Sequence, residues 1–327
     1  MRSVLNFCTL FDSFYLSRGL AMYESLRKTC TDFHIYIFAF DDLSFQILNK
    51  LKLESATIIS LNTFESEEIL SVQNSRTKAE YCWTCTSSTI EYVLQTYNVH
   101  SCTYIDADLY FYNSPAVLLS ELNEKHTVLI TEHRYGWLSK SFEEKRAGRF
   151  CVQFITFVND TKSRIILKNW INQCIDWCYA RYEDGKFGDQ KYLDSWPDLY
   201  DNVLVSEHLG AGIAPWNISQ YRIYSQGESL CGVEKKTGKK FDVIFYHFHF
   251  VRFMENGDID LGWNSIPGDI QDLFYIPYIN KIKEIEHSLT SNYEEYKIKY
   301  YPTQPSGFKD YVKYVIKKIS RFNLIKL

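Results

Sequence analysis

Apolar and polar positions alternate along the chain in blocks whose spacing predicts strands and helices in turn. Short apolar runs predict strands, and longer stretches with an apolar residue every three or four positions predict helices. Alternation of this kind is typical of an α/β fold with a mostly parallel, Rossmann-like central sheet flanked by helices. The predicted strands are 4–9, 34–40, 57–61, 102–105, 126–131, 151–158 and 241–251, and the predicted helices are 15–28, 45–51, 78–97, 163–179 and 191–196. Segment 62–75 predicts a loop or short helix, and 142–148 a loop.

One of these strands ends abruptly at two carboxylates, Asp106 and Asp108. Residues i and i+2 of an extended chain point to the same side. Both carboxylates can therefore converge just past the carboxyl end of the strand, where open α/β sheets bind ligands. Two carboxylates this close repel each other unless a cation lies between them, and hard divalent ions take oxygen ligands. The pattern indicates a metal site that holds a substrate diphosphate, although a strand followed by an acidic turn has the same spacing.

The composition adds a few limits. Of the 327 residues, 46% are hydrophobic and 17% aromatic, which is typical of a folded globular protein. A net charge of −4 argues against nucleic acid as a partner. The nine cysteines, an odd number, and the lack of a signal peptide favour a reducing cytosol in which the thiols stay free. Cys82 and Cys85 form a lone Cys-x-x-Cys in a helical pattern, which favours packing over zinc binding.

Further segments carry chemical groups. Gly188-Asp189-Gln190 opens a helix, a glycine-rich loop runs from Gly210 to Asn217, and Tyr246-His247-Phe248 lies in an aromatic strand. In this order, and together with Tyr104-Ile105-Asp106-Ala107-Asp108, they resemble the GT-A glycosyltransferases. The resemblance is greatest to the retaining family 8 type, which includes glycogenin and the lipopolysaccharide galactosyl- and glucosyltransferases. It covers about residues 3 to 250.

The resemblance implies a UDP-sugar as donor substrate and Mn²⁺ (or Mg²⁺) as cofactor. Asp106, Asp108 and His247 match the family's metal ligands. His249 is a further candidate, since it lies two residues beyond His247 on the same strand face. Two carboxylates and an imidazole suit Mn²⁺ better than Mg²⁺, which prefers a shell of oxygen atoms.

The resemblance also implies which residues contact the sugars. Asp189 is expected to hydrogen-bond sugar hydroxyls, and Gln190 to lie beneath the anomeric carbon. Because an amide is a poor nucleophile, we expect a front-face mechanism rather than a covalent intermediate. Trp216, Arg134 and His133 are expected on the acceptor side. The residues expected to bind the nucleotide sugar and its metal are Thr9, Phe11, Tyr15, Lys78, Asp106, Ala107, Asp108, Gln153, Gly210 and Gly212.

The chain changes character at its carboxyl end. Segment 309–327 is rich in lysine and arginine, with Asp310 as its acidic residue, and it carries apolar residues at helical spacing. Such a basic amphipathic helix is typical of an anchor on a membrane surface, although a helix that packs on the body with a solvated face has the same pattern. We expect a GT-A domain in 1–255 and a helical C-terminal extension in 256–327.

The expected function is a retaining, metal-dependent hexosyltransferase that uses a UDP-sugar. Its expected acceptor is a surface glycan (lipopolysaccharide, capsule or lipid-linked), and its expected location is the cytoplasm, including the inner face of the membrane. One alternative is a sugar nucleotidyltransferase, which would carry a Gly-rich basic loop where this chain has Phe11-Asp12-Ser13-Phe14. Another is a non-catalytic nucleotide-sugar-binding protein, which would be expected to lack a metal ligand or the Gly-Asp-Gln segment.

Overall fold

The computed structural model describes residues 4–137, 139–227, 229–303 and 308–326. Its strands are β1 Leu5–Phe11, β2 Phe33–Ala39, β3 Ala56–Ser60, β4 Ser101–Ile105, β5 Leu109–Phe111, β6 Val128–Glu132, β7 Phe150–Val158, β8 Val203–Val205, β9 Tyr221–Gln226, β10 Ser229–Glu234, β11 Lys240–Asp242, β12 Phe245–His247, β13 Arg252–Phe253, β14 Ile259–Asp260 and β15 Leu324–Ile325. Its helices are α1 Leu16–Thr29, α2 Asp42–Leu51, α3 Leu61–Phe64, α4 Glu67–Gln73, α5 Lys78–Thr96, α6 Ala116–Leu119, α7 Lys140–Ala147, α8 Thr161–Asp176, α9 Trp196–Leu199, α10 Gly268–Ile270, α11 Ile276–Asn292 and α12 Phe308–Ser320.

The central sheet in the described residues has seven strands in the order β3-β2-β1-β4-β7-β6-β8. β1 runs parallel to β2 and β4, β2 to β3, and β6 to β8. β7 is antiparallel to both of its neighbours, β4 and β6. The sheet is therefore mostly parallel with helices on its faces, which confirms the predicted fold class.

Alternate residues of β1 divide the core into two layers. Phe7 and Phe11 face the layer that contains α1 and α11, whereas Cys8 and Leu10 face the layer that contains α5 and α8. This arrangement follows from the two-residue repeat of a strand, which sends successive side chains to opposite faces. Because helices cover both faces of the sheet, β1 carries apolar residues on both of its sides.

A two-stranded antiparallel ribbon outside the central sheet brings distant parts of the chain together. β12 pairs with β5 so that His247 lies opposite Leu109. The predicted strand 241–251 is in fact two short strands, β11 and β12, which pair with different partners. The ribbon matters for the site because β5 follows directly after Asp108.

The C-terminal part of the chain packs on the body. In α11, Glu286 accepts a hydrogen bond from Ser17 Oγ at 3.1 Å, and Lys281 lies 2.7 Å from Glu24 of α1. α12 ends at Ser320, and β15 then pairs with β14, so the observed helix is shorter than the predicted basic helix 309–327. The domain boundary at residue 255 stays a prediction. Among the helices of the described segments, none has the length and apolar content needed to cross a membrane.

Candidate metal and donor site

The ligand atoms of Asp106, Asp108 and His247 lie within 4.8 Å of one another. The two carboxylates occupy the turn between β4 and β5, and Phe248 N donates a hydrogen bond of 2.9 Å to Asp108 O, which fixes the end of β12 beside that turn. His247 Nε2 lies 3.1 Å from Asp108 Oδ1 and 3.7 Å from Asp106 Oδ2. The three side chains predicted from the sequence are thus brought together.

The charges in this group depend strongly on one another. Burial raises the pKa of Asp106 to about 6, and Asp108 adds to this while His247 opposes it. Burial also raises the pKa of Asp108, but His247 more than offsets it, so the pKa lies below its usual value. Burial lowers the pKa of His247, yet the Asp108 carboxylate, helped by Asp106, raises it well above its usual value. The group therefore attracts positive charge.

Gln153 of β7 holds the metal-site histidine. Its Oε1 lies 2.7 Å from His247 Nδ1, and its Nε2 donates to Thr131 Oγ1 at 3.4 Å. An amide oxygen accepts hydrogen bonds, so Nδ1 carries the hydrogen and Nε2 faces the carboxylates. Metal-binding histidines are commonly oriented in this way by a partner at their other nitrogen. The sequence analysis placed Gln153 near the donor sugar but did not reveal this contact.

Close packing requires glycine, which has no Cβ, at positions 210 and 212. Gly212 has φ +81°, and a Cβ there would overlap Gln153 Nε2. A Cβ at Gly210 would overlap the backbone oxygen of Asp242. Gly212 thus gives Gln153 the room to reach His247, and contact of either glycine with a substrate stays a prediction.

His249 is exposed and does not join the three-residue group. Its ring centroid lies 5.8 Å from that of His247. Trp216 packs edge-on against both rings, at 5.3 Å from His247 and 5.7 Å from His249. Trp216 is itself fixed because its Nε1 donates to His133 O at 2.8 Å. These aromatic rings form one wall beside the metal group.

Asp189 is buried beside the metal group. Burial, with a smaller contribution from Asp106, raises the pKa of its carboxyl to about 8. Trp170 Nε1 donates to Asp189 O at 2.9 Å, a contact that the sequence did not predict, since it joins α8 to the turn before Lys191.

A capping box at the start of α5 positions the segment before Asp189. Glu80 accepts hydrogen bonds of 2.8 Å from Thr77 N and from Thr77 Oγ1, and Glu80 N donates to Thr77 Oγ1 at 3.3 Å. The other Glu80 oxygen accepts from Ala180 N at 2.8 Å, which ties this segment to the helix. The sequence analysis predicted a helix that begins at residue 78, and the spacing Thr77-x-x-Glu80 is a sequence signature of the cap at this start.

Gln190 faces α7, a helix that the sequence predicted to be a loop. Gln190 Nε2 donates to Ala147 O at 2.7 Å, and Lys191 Nζ donates to Glu144 O at 2.7 Å. Ala147 O is one of the carbonyl groups that a helix end leaves without an intrahelical partner, and Gln190 supplies that partner. Glu144 O also accepts from Gly148 N at 3.1 Å, so Lys191 adds a second donor there. The two side chains hold the last turn of α7 against the segment that begins at Gln190.

The residues expected to bind the nucleotide have different exposures. Thr9 is fully buried, and its Oγ1 has no hydrogen-bond partner among the described residues. The ring of Phe11 packs on Gly19, so it is enclosed by α1. Tyr15 is half-buried with its ring 4.9 Å from the Arg18 guanidinium. Lys78 is exposed at the first position of α5, and Ala107 is buried between the two carboxylates. Their contacts with a donor stay predictions.

Two curated relatives align with most of the chain, whereas no family model matches it. The chain is 30% identical over 261 residues to "Uncharacterized protein YfnF" of Bacillus subtilis (strain 168), covering 77% of the chain and 84% of that relative. It is 26% identical over 299 residues to "Uncharacterized protein YfnD" of the same organism, covering 90% and 94%.

Solved structures resemble the chain in fold. The galactosyltransferase LgtC, in complex with donor and acceptor sugar analogues, gives a TM-score of 0.52 at 9% identity and covers 86% of this chain and 96% of LgtC. An active-site mutant of LgtC gives a TM-score of 0.54 at 10% identity with the same coverage, 86% and 96%. The chain has the GT-A fold of these glycosyltransferases.

Proposed function

The chain belongs to the family of Bacillus subtilis YfnF, and we propose that it is a retaining, metal-dependent glycosyltransferase. In this proposal it moves a hexose from a UDP-sugar to a surface-glycan acceptor. The observation that carries the proposal is the convergence of Asp106, Asp108 and His247 within 4.8 Å on a GT-A fold. Open α/β sheets bind their ligands just beyond the carboxyl ends of strands, which is where the turn after β4 lies.

The three side chains suit a divalent cation. Asp106 and Asp108 offer carboxylate oxygens, and His247 offers Nε2 because Nδ1 is bound to Gln153 at 2.7 Å. Mixed oxygen and nitrogen ligands favour Mn²⁺ over Mg²⁺. The raised pKa of His247 reflects the surplus of negative charge around it, which a cation would neutralise. When bound, the metal supplies Lewis-acid stabilisation of the charge on the departing UDP.

The chemistry of Gln190 favours a front-face reaction, because an amide is a poor nucleophile. The bond from the anomeric carbon to the UDP oxygen breaks, and the acceptor oxygen bonds to that carbon on the same face. The proton of the acceptor hydroxyl passes to the phosphate oxygen that leaves. Gln190 fits a positioning role, because its amide is already bound to Ala147 O. Asp189, whose pKa is raised to about 8, keeps a carboxyl hydrogen near neutral pH that it can donate to a sugar hydroxyl.

Two ring side chains beside the metal group suit an acceptor sugar. Trp216 and the exposed His249 flank the metal group, and an apolar ring next to polar nitrogens suits a sugar ring with its hydroxyls. We propose a lipid-linked or lipopolysaccharide-type acceptor and a cytoplasmic enzyme that works at the inner face of the membrane.

Release of UDP tests this function. The purified protein is incubated with Mn²⁺ and, in separate reactions, with UDP-glucose, UDP-galactose and UDP-N-acetylglucosamine, and free UDP is measured. We expect one donor to be consumed and release to stop with EDTA. Pyrophosphate formed from UTP and a sugar phosphate would instead identify a nucleotidyltransferase. Binding of UDP-sugars without turnover, with a full set of glycan acceptors present, would identify a binding protein.

A further inference from the structure

Helix α12 is packed with its polar side inward. Lys317 is only 4% exposed. Its ammonium group pairs with Asp260 and donates to Gly262 O at 2.8 Å. It also lies 4.8 Å from the ring centroid of Trp263. A lysine is almost never buried unless it is paired, so these contacts fix which side of α12 faces the body.

The opposite side of α12 is apolar and open. Val312, Ile316 and Ile319 are 40%, 51% and 81% exposed, respectively. At 3.6 residues per turn they form one stripe along the helix, and Lys317 lies away from it. We call these three residues the α12 apolar face. In an ordinary surface helix such a stripe would face the core, so its outward direction is the reverse of normal packing.

Exposed basic side chains lie at the carboxyl end of α12 and just beyond it. Lys318, Arg321 and Lys326 are exposed, and Lys326 also lies 3.6 Å from Asp258 Oδ1. Trp263, on the Lys317 side of the helix, packs against Phe322 with ring centroids 6.1 Å apart. Exposed aliphatic residues together with lysine and arginine are typical of helices that lie in the interface of a bilayer. The positive side chains match the negative headgroups of anionic lipids.

We propose that the α12 apolar face inserts into the surface of an anionic lipid bilayer, with Lys318, Arg321 and Lys326 on the headgroups. The occupant is a lipid surface because an exposed aliphatic stripe on a helix whose carboxyl end carries positive charge has the chemistry of that interface. The proposal gives the peripheral location in the proposed function a specific surface. It does not depend on the transfer chemistry, since lipid binding needs neither donor nor acceptor.

Vesicle sedimentation of the full-length protein tests this surface. The vesicles are phosphatidylcholine alone, or phosphatidylcholine with about one part in three of phosphatidylglycerol. We expect the wild type to sediment with the anionic vesicles and to be released by high salt, because salt screens the charge attraction. Ile316→Asp with Ile319→Asp should weaken this binding about tenfold or more, since charge replaces the inserted groups.

Ile165→Asp is the matched control, because Ile165 is 55% exposed on α8, outside the α12 apolar face. It should bind vesicles like the wild type. Equal binding by the double variant and the wild type would overturn the proposal, as would a wild type that binds neither kind of vesicle. In both cases UDP release in solution would still report independently on the proposed transferase activity.

Discussion

His247 Nδ1 and Gln153 Oε1 are 2.7 Å apart, so a side chain of the central sheet sets the orientation of a histidine in the outer ribbon. Gln153 lies on β7 and His247 on β12, and these two strands do not pair with each other. Loss of such a supporting partner typically weakens metal binding about 10- to 100-fold. The geometry of the metal group therefore depends on a residue that does not touch the metal.

Replacing Gln153 tests this dependence. Gln153→Met keeps the length of the side chain but removes the acceptor for Nδ1–H, so we expect Mn²⁺ affinity to fall about 10- to 100-fold. Gln153→Glu keeps an acceptor and should bind Mn²⁺ at least as well as the wild type. Affinity is measured by electron paramagnetic resonance on donor-free protein. Unchanged affinity in Gln153→Met would show that the contact does not support the metal. A wild type that binds no Mn²⁺ would instead refute the metal site itself.

Gly212→Ala tests the room made for Gln153. The left-handed backbone at Gly212 costs a non-glycine residue on the order of 1 kcal/mol, and the added Cβ would also push Gln153 from His247. Gly238→Ala is the control, because Gly238 has φ +74° and a Cβ added there would meet no described atom within 4 Å. Urea unfolding should show a loss of stability in both variants. Only Gly212→Ala should also lose Mn²⁺ affinity, and equal affinities in the two variants would contradict this role of Gly212.

Asp108→Asn should abolish transfer while leaving the fold intact. An amide lacks the negative charge that Asp108 brings to the metal group, so we expect donor turnover to fall by more than about 100-fold, beyond the cost of losing a supporting partner. Circular dichroism and a thermal scan check the fold. Asp198→Asn, an exposed position on α9, is the control and should keep full turnover. Near-normal Mn²⁺-dependent turnover in Asp108→Asn would refute the metal assignment.

The metal-free protein should lose stability as the pH rises. Asp106 and Asp189 have pKa values raised from 3.8 to about 6 and about 8, so the native state keeps protons that the unfolded state releases. Burial lowers the pKa of His133 to about 3, which opposes this effect between about pH 4 and 6.5. Native-state stability then falls chiefly as pH rises from about 6.5 to 8, where His133 is neutral in both states. His247 acts in the same direction, because the stability from its raised pKa is lost as pH rises through the folded-state value.

Mn²⁺ should counteract this loss, since it replaces those protons and binds only the deprotonated ligands. The rise in melting temperature on adding Mn²⁺ should therefore be larger at about pH 8 than at about pH 5. Thermal scans at both pH values measure it, with Asp108→Asn as the variant that should show little rise. An equal rise at both pH values would mean that the metal binds elsewhere.

Local periodicity in the sequence predicted the central strands and the converging carboxylates. The i, i+2 spacing of Asp106 and Asp108 predicted that both carboxylates would converge, and in the structure they do. The apolar runs predicted the strands β1 to β4, β6 and β7 of the central sheet, because strands buried on both faces are largely apolar. They did not predict the edge strand β8, which has only three residues. His247 came from the resemblance rather than from periodicity, since its approach depends on the pairing of β12 with β5.

The features that the sequence did not predict depend on contacts between distant segments. The helix α7 is completed by donors from Gln190 and Lys191, so its charged sequence alone did not indicate it. The hydrogen bond from Trp170 Nε1 to Asp189 O joins α8 to a later turn and has no local signal in the sequence. The direction of α12 is another case, because the contacts of Lys317 with Asp260 and Gly262 decide which face is outward.

The pairing of β15 with β14 sets what a docked helix could do. Just beyond α12, Leu324 and Ile325 pair with Asp260 and Ile259 of β14 in an antiparallel ladder. This pairing fixes the carboxyl end of α12 to the rest of the protein. If α12 lay on lipid as proposed, the group of Asp106, Asp108 and His247 would stay at a fixed distance from the headgroups. For the proposed transferase, the length of the acceptor glycan would then decide which acceptors reach this group.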